Sequence, residues 1–142
     1  MKFRILGTLL AACVLGCLLP ACSEPDGMET FIFRKDARDG VYVFSLPLTD
    51  TTARYDFWFY SRVGKTPLSN VQRNVQWLAP SGNGCSETVY MRSVDTRGTR
   101  ERYRSGMVPA EAGDWQLSVR PVDVGEDFLG IGVVYKKQDG TR

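Results

Sequence analysis

The sequence predicts an all-β fold: an antiparallel β-sandwich with jelly-roll or Greek-key connections. Three observations carry that expectation. Short apolar or alternating segments recur along residues 30–135, with turn residues between them. Helical periodicity appears nowhere over ten residues or more beyond the first 21 residues. No internal repeat and no linker divides the chain. Eight or so short strands at such spacing belong to a sandwich, with a closed barrel as the alternative.

The segments follow in order. Thr30–Arg34 is short and apolar. Val41–Leu46 is β-branched and aromatic, the residue types that fit a pleated surface. Tyr55–Ser61 alternates, with Tyr55, Phe57, Phe59 and Ser61 on one face and Asp56, Trp58 and Tyr60 on the other. Asp56 marks its own face as the wetter, so the Tyr55 face is the expected core face. Asn74–Leu78 alternates again. Residues 79–84 read as a loop, because Pro80, Gly82 and Gly84 set turn dihedrals at little cost. Glu87–Arg92 and Arg102–Ser105 are weaker strand candidates. Asp114–Arg120 places Trp115, Leu117 and Val119 inward, and Phe128–Tyr135 is the longer apolar run expected of a central strand.

The first residues read differently. Lys2 and Arg4 precede an apolar stretch from Ile5 to Leu19, the pattern of a secretory signal. A helix of about 15 residues is roughly 22 Å long, short of a hydrocarbon core of about 30 Å. The end of the stretch, Leu19-Pro20-Ala21-Cys22, resembles the lipobox of bacterial lipoproteins. Cys13 and Cys17 close similar four-residue patterns, but only Cys22 stands where apolar sequence gives way to Ser23-Glu24-Pro25-Asp26. Simple secretion without a lipid is the other alternative. The resemblance implies cleavage before Cys22, a diacylglycerol thioether on its sulfur and an added palmitate-type chain. The expected organisation is a signal over residues 1–21, a lipidated tether over 22–29 and a sandwich domain over 30–142.

Without residues 1–21 the chain has 121 residues, one ordinary domain, with 16 basic and 16 acidic side chains. That balance calls for no nucleic-acid partner. Cys85 is left alone, with no disulfide framework or CxxC pair, and is expected to be a small buried filler. There is no histidine. This excludes the Ser-His-Asp and Cys-His nucleophile systems and the commonest metal ligand. No cofactor, metal site, catalytic residue or small-molecule substrate is indicated.

Several segments together resemble the gliding-motility-associated lipoprotein family GldH. They are Leu48-Thr49-Asp50 followed by Tyr55–Arg62, then Asn74–Gly82, then Gly113–Arg120 followed by Phe128–Val133. The resemblance implies an outer-membrane lipoprotein that binds other envelope proteins, in gliding or its linked secretion machinery. It marks Asp50, Tyr55, Arg62 and Asn74 as candidate partner-binding residues. Their plain structural reading is turn-shaping by Asp50 and Asn74 and an Arg62–carboxylate pair.

Arg92, Arg97, Arg100, Arg102 and Arg104 crowd thirteen residues. Arg100, Arg102 and Arg104 join the candidate partner-binding set, as a basic patch for an acidic protein, anionic glycan or lipid headgroups. The plain reading is a solvated hairpin whose arginines discourage edge pairing. Trp58, Trp77 and Trp115 are expected mainly in the core. A surface glycan-binding module, using aromatic faces, is the alternative function.

Overall fold

Strands form where branched and aromatic residues alternate with polar ones, and turns form where glycine, proline or aspartate interrupts them. The computed structural model describes residues 27–138. The expected signal, the expected lipidation site Cys22 and residues 22–26 of the expected tether lie outside the described residues. The strands are β1 (Gly27–Phe33), β2 (Tyr42–Leu48), β3 (Tyr55–Val63), β4 (Leu68–Leu78), β5 (Gly84–Val94), β6 (Glu101–Met107), β7 (Gly113–Pro121) and β8 (Phe128–Lys137). A single 3₁₀ turn at Arg34–Asp36 follows β1.

Two four-stranded antiparallel sheets result. The first has the order β1-β8-β3-β6 and the second β2-β7-β4-β5. Only the β4–β5 connection stays within a sheet, and every other one crosses between them. This is the jelly-roll arrangement. It has four edge strands, so it is a sandwich and not a closed barrel.

Three expectations need correction. First, β1 opens at Gly27, inside the expected tether, because residues 27–29 pair with Lys136, Tyr135 and Val134 of β8. Second, β4 opens at Leu68, six residues before Asn74. Asn70 takes a left-handed φ of 53° within that strand and Arg73 occupies an inward position, so the alternation is masked there. Third, the arginine-rich segment is not a hairpin. β5 lies in the second sheet and β6 in the first, so residues 95–100 form an arch between sheets.

The core is the two inner faces. Phe57, Phe59, Ile131 and Val133 from the first sheet meet Phe44, Leu46, Val75, Trp77, Leu117 and Val119 from the second. Phe57 and Trp77 meet edge to face at 5.3 Å, a geometry that suits the ring quadrupoles. The expected inward set of β3 is correct, since Tyr55, Phe57, Phe59 and Ser61 are all buried.

Among these apolar groups lies Arg73, 0% exposed. Its guanidinium donates to Ser61 Oγ at 2.5 Å and sits 5.7 Å from the Phe59 ring centroid. Among the described residues, Nε and Nη1 have no hydrogen-bond partner. Loss of hydration lowers the Arg73 pKa to about 9, against the opposing pull of Glu101.

Where the β5 and β6 edges face each other, a polar relay closes the seam. Trp77 Nε1 donates to Tyr103 Oη at 2.8 Å, Tyr103 Oη donates to Glu87, and Arg104 pairs with Glu87 at 2.6 Å. Tyr103 also stacks on Phe59 at 4.5 Å. Burial, with the Glu87 hydrogen bond, pushes the Tyr103 pKa up to about 12. The Glu101 carboxylate accepts the Arg92 backbone N–H, occupying a donor that the β5 edge would otherwise offer to another strand.

Candidate binding surfaces

The sandwich turns two outer faces to its surroundings, and they differ in chemistry. On the first sheet, pleat alternation sends Phe31, Phe33, Trp58, Tyr60 and Arg62 outward. Between Phe31 and Tyr60 runs β8, which carries Gly130 and Gly132 on this side. A Cβ at Gly132 would fall inside the Tyr60 ring, and one at Gly130 would collide with the Phe31 ring and the Ile32 carbonyl. The two rings therefore lie over the bare backbone, nearly parallel at 25° with centroids 5.6 Å apart. Phe33 meets Phe31 edge-on at 5.0 Å and stays 55% exposed.

Arginines lie over these rings. Arg102 stands 5.2 Å from the Trp58 ring and donates to Ser105 Oγ at 3.1 Å. Arg100 reaches over Tyr60 at 5.8 Å and pairs with Glu29 on β1. Arg62 Nε donates to the Thr96 carbonyl at 3.4 Å. The face thus combines half-covered aromatic rings with guanidinium groups.

The second sheet carries amides and hydroxyls instead. In register across β7, β4 and β5 lie Arg120, Asn74 and Thr88, and beside them Ser118, Gln76 and Ser86. They line a shallow groove of about 380 Å³ together with Val41, Val75 and Glu87. Asn74 Oδ1 accepts from Thr88 Oγ1 at 3.3 Å and from Gln72 Nε2 at 3.4 Å. With its acceptor so engaged, what Asn74 offers a ligand is its Nδ2 donor, on the residue in register with Arg120 of β7. Tyr90, 64% exposed, is paired with Gln72 further along the same strands.

The structure disperses the candidate residues that the sequence grouped. Arg62, Arg100 and Arg102 share the first outer face. Asn74 is on the opposite one and is not a turn residue, since it lies within β4. Arg104 belongs to the β5–β6 seam. Asp50 is the turn-shaper expected: it accepts the Thr52 N–H at 2.9 Å and pairs with Lys137 at 2.8 Å. Those interactions, led by Lys137, hold its pKa well below the usual carboxylate range. Tyr55 is a core residue, 4% exposed, against Tyr135 at 6.0 Å. Arg62 bonds a carbonyl and not the expected carboxylate.

Cys85 is exposed at the start of β5, contrary to the buried filler expected. Trp77 is in the core, Trp115 packs at its margin, and Trp58 faces outward. Sequence reasoning missed Phe31, Phe33, Arg120 and the Ser/Thr/Gln surroundings of Asn74. Their signal was the outward parity of each strand, legible only once register and strand order are known. Among the described residues no cluster of three or more acidic, cysteine or histidine side chains is placed to hold a metal ion.

The fold and its two outer faces define a jelly-roll sandwich with one aromatic–arginine face and one amide–hydroxyl groove. No protein-family model and no curated protein matches the chain. Among solved structures it is similar to dimeric latent PorU from Porphyromonas gingivalis, at 13% identity and a TM-score of 0.35. The match covers 84% of this chain and 13% of that one, so the chain spans about an eighth of that protein's length.

Proposed function

We propose that this chain is a non-enzymatic, lipid-anchored component of a bacterial envelope assembly, held to the outer membrane through Cys22 and binding envelope proteins. The lipobox-like sequence supports the anchor, and the GldH-like segments support a place in gliding motility or its linked secretion. The observation that carries the binding role is the groove around Asn74. The fold does not need these outward amides and hydroxyls for its core, yet they are grouped with an arginine and offer donors across three strands. Such a surface satisfies the exposed polar groups of a partner's backbone or side chains, where each unmet group would weaken the complex.

The test is a photo-crosslinking residue at Gln76 in intact cells. Envelope proteins should be captured, and Asn74→Ala with Arg120→Ala should abolish capture while the protein stays folded and membrane-bound. Capture that is indifferent to both substitutions sinks the reading. A second reading, a glycan-binding module, draws on the same amide and hydroxyl lining, which also suits sugar hydroxyls. A glycan panel that saturates the purified protein, with loss on Asn74→Ala, would establish it in place of the first.

A further inference from the structure

We propose that the outer face of the first sheet is a lipid-surface docking face, which lies on the anionic headgroups of the bilayer that holds the Cys22 acyl chains. The proposal rests on the anchor reading above and adds an orientation to it. Two observations argue for this occupant.

The first is reach. Four residues separate Cys22 from Gly27, five Cα-to-Cα steps, so the distance between them is at most about 18 Å. Gly27 opens β1, an edge strand of the first sheet. An acylated Cys22 therefore keeps the β1 end of that sheet within reach of the membrane.

The second is chemical complementarity. Tryptophan and tyrosine settle at membrane interfaces because their rings are apolar and their polar edges prefer water. Arginine meets lipid phosphates in bidentate fashion. The first face supplies both, with Trp58, Tyr60, Phe31 and the exposed Phe33 beside Arg62, Arg100 and Arg102. Lys136 adds a further exposed cation, against the carboxylates of Glu29 and Asp56. The face of the second sheet has an amide–hydroxyl groove and suits a hydrated partner. Docking by the first face would leave that groove turned away from the bilayer, where envelope proteins can reach it.

The experiment uses the full-length chain, acylated and reconstituted into vesicles of phosphatidylcholine with or without phosphatidylglycerol, both containing spin-labelled lipid. The reading is the quenching lost on Trp58→Phe, which isolates Trp58 from Trp77 and Trp115. Quenching of Trp58 should be strong with phosphatidylglycerol and weak without it, and Phe33→Ser should reduce it. Arg62→Gln and Arg102→Gln should each lower the docked-to-undocked ratio by about fivefold. Mass analysis of the N-terminal peptide from the same sample reports acylation. Acylated protein whose Trp58 is not quenched overturns the docking and leaves the anchor standing, as does quenching indifferent to phosphatidylglycerol and to all three substitutions. Cellular crosslinks from this face to a protein rather than to lipid also overturn it. A product without lipid on Cys22 overturns the anchor and the docking together.

Discussion

The outer faces of the two sheets show how differently a strand can treat its solvent side. On the second sheet, the middle of β4 and of β7 buries every other residue, and the outward residues Gln72, Asn74, Gln76, Gln116, Ser118 and Arg120 are polar. On the first, β8 is covered on both sides from Gly130 to Val133. Its inner residues Ile131, Val133 and Tyr135 enter the core, and its outer glycines lie buried under Phe31 and Tyr60. A thin aromatic layer outside the sheet does what a helix does in an α/β fold. Rings lent by neighbouring strands cover a glycine that has no side chain of its own.

The largest expected effect tests that layer directly. Gly132→Val puts a branched side chain where the Tyr60 ring lies, so the ring has to move off the strand. The expected loss is about 3 kcal/mol, the upper end for overpacking. Ser118→Val, on the outer face of β7, should stay within about 0.5 kcal/mol. Urea denaturation of both variants measures the contrast, and equal effects would show that the first face is no more packed than the second.

Much of the fold was legible because the physics is local. Tyr55–Ser61 and Asp114–Arg120 show their inward faces by simple alternation, and the continuous apolar run at Phe128–Tyr135 marks a central strand. The run is continuous for the reason just given: a strand covered on both faces has no polar side to display. Arg73 was not legible, because a cation at an inward position reads as a break in the pattern, and the first half of β4 was lost with it. The candidate surfaces were less legible still. Asn74 and Arg62 were grouped by the family resemblance, but β3 and β4 belong to different sheets, and only the topology reveals that their outward sides point apart. Phe31, Tyr60 and Gly132 come from three strands, so no sequence window contains the layer they form.

Arg73 offers the next test, from the side of the second sheet that faces inward. Its charge is buried with two nitrogens unpartnered, and among the described residues no carboxylate forms an ion pair with it, Glu101 attracting it only from a distance. A hydrophobic side chain of similar length avoids that desolvation cost. Arg73→Met should stabilise the domain by about 1–2 kcal/mol, in line with replacements of buried charge elsewhere. Thermal or urea unfolding reads the sign. A loss in its place would mean that the Phe59 and Ser61 contacts outweigh dehydration.

The smallest effect separates the sheets by pH. Asp50, Asp56, Asp95 and Asp127 all have lowered pKa values, and all four act at the borders of β3 and β8 in the first sheet. Asp95 is held to about 2, chiefly by the Thr99 hydroxyl and then the Thr99 N–H, with Gly98 and Arg97 N–H groups adding to them. Its backbone carbonyl also accepts the Val63 N–H at the end of β3. A carboxylate depressed in the folded state contributes stability that is fully present above its unfolded pKa of about 3.9 and is lost as pH falls toward the folded value. Acid should therefore loosen the ends of β3 and β8 before the centre of β4 and β7, over the window from about pH 4 down to about 2. Asp95→Asn should flatten the fall of Tm across that window while lowering Tm at neutral pH only slightly, because the group is exposed and screened. If the variant kept the parent's full slope, the arch that Asp95 folds would not be an acid-sensitive joint of the first sheet. The difference between the two sheets would then rest on their outer side chains alone.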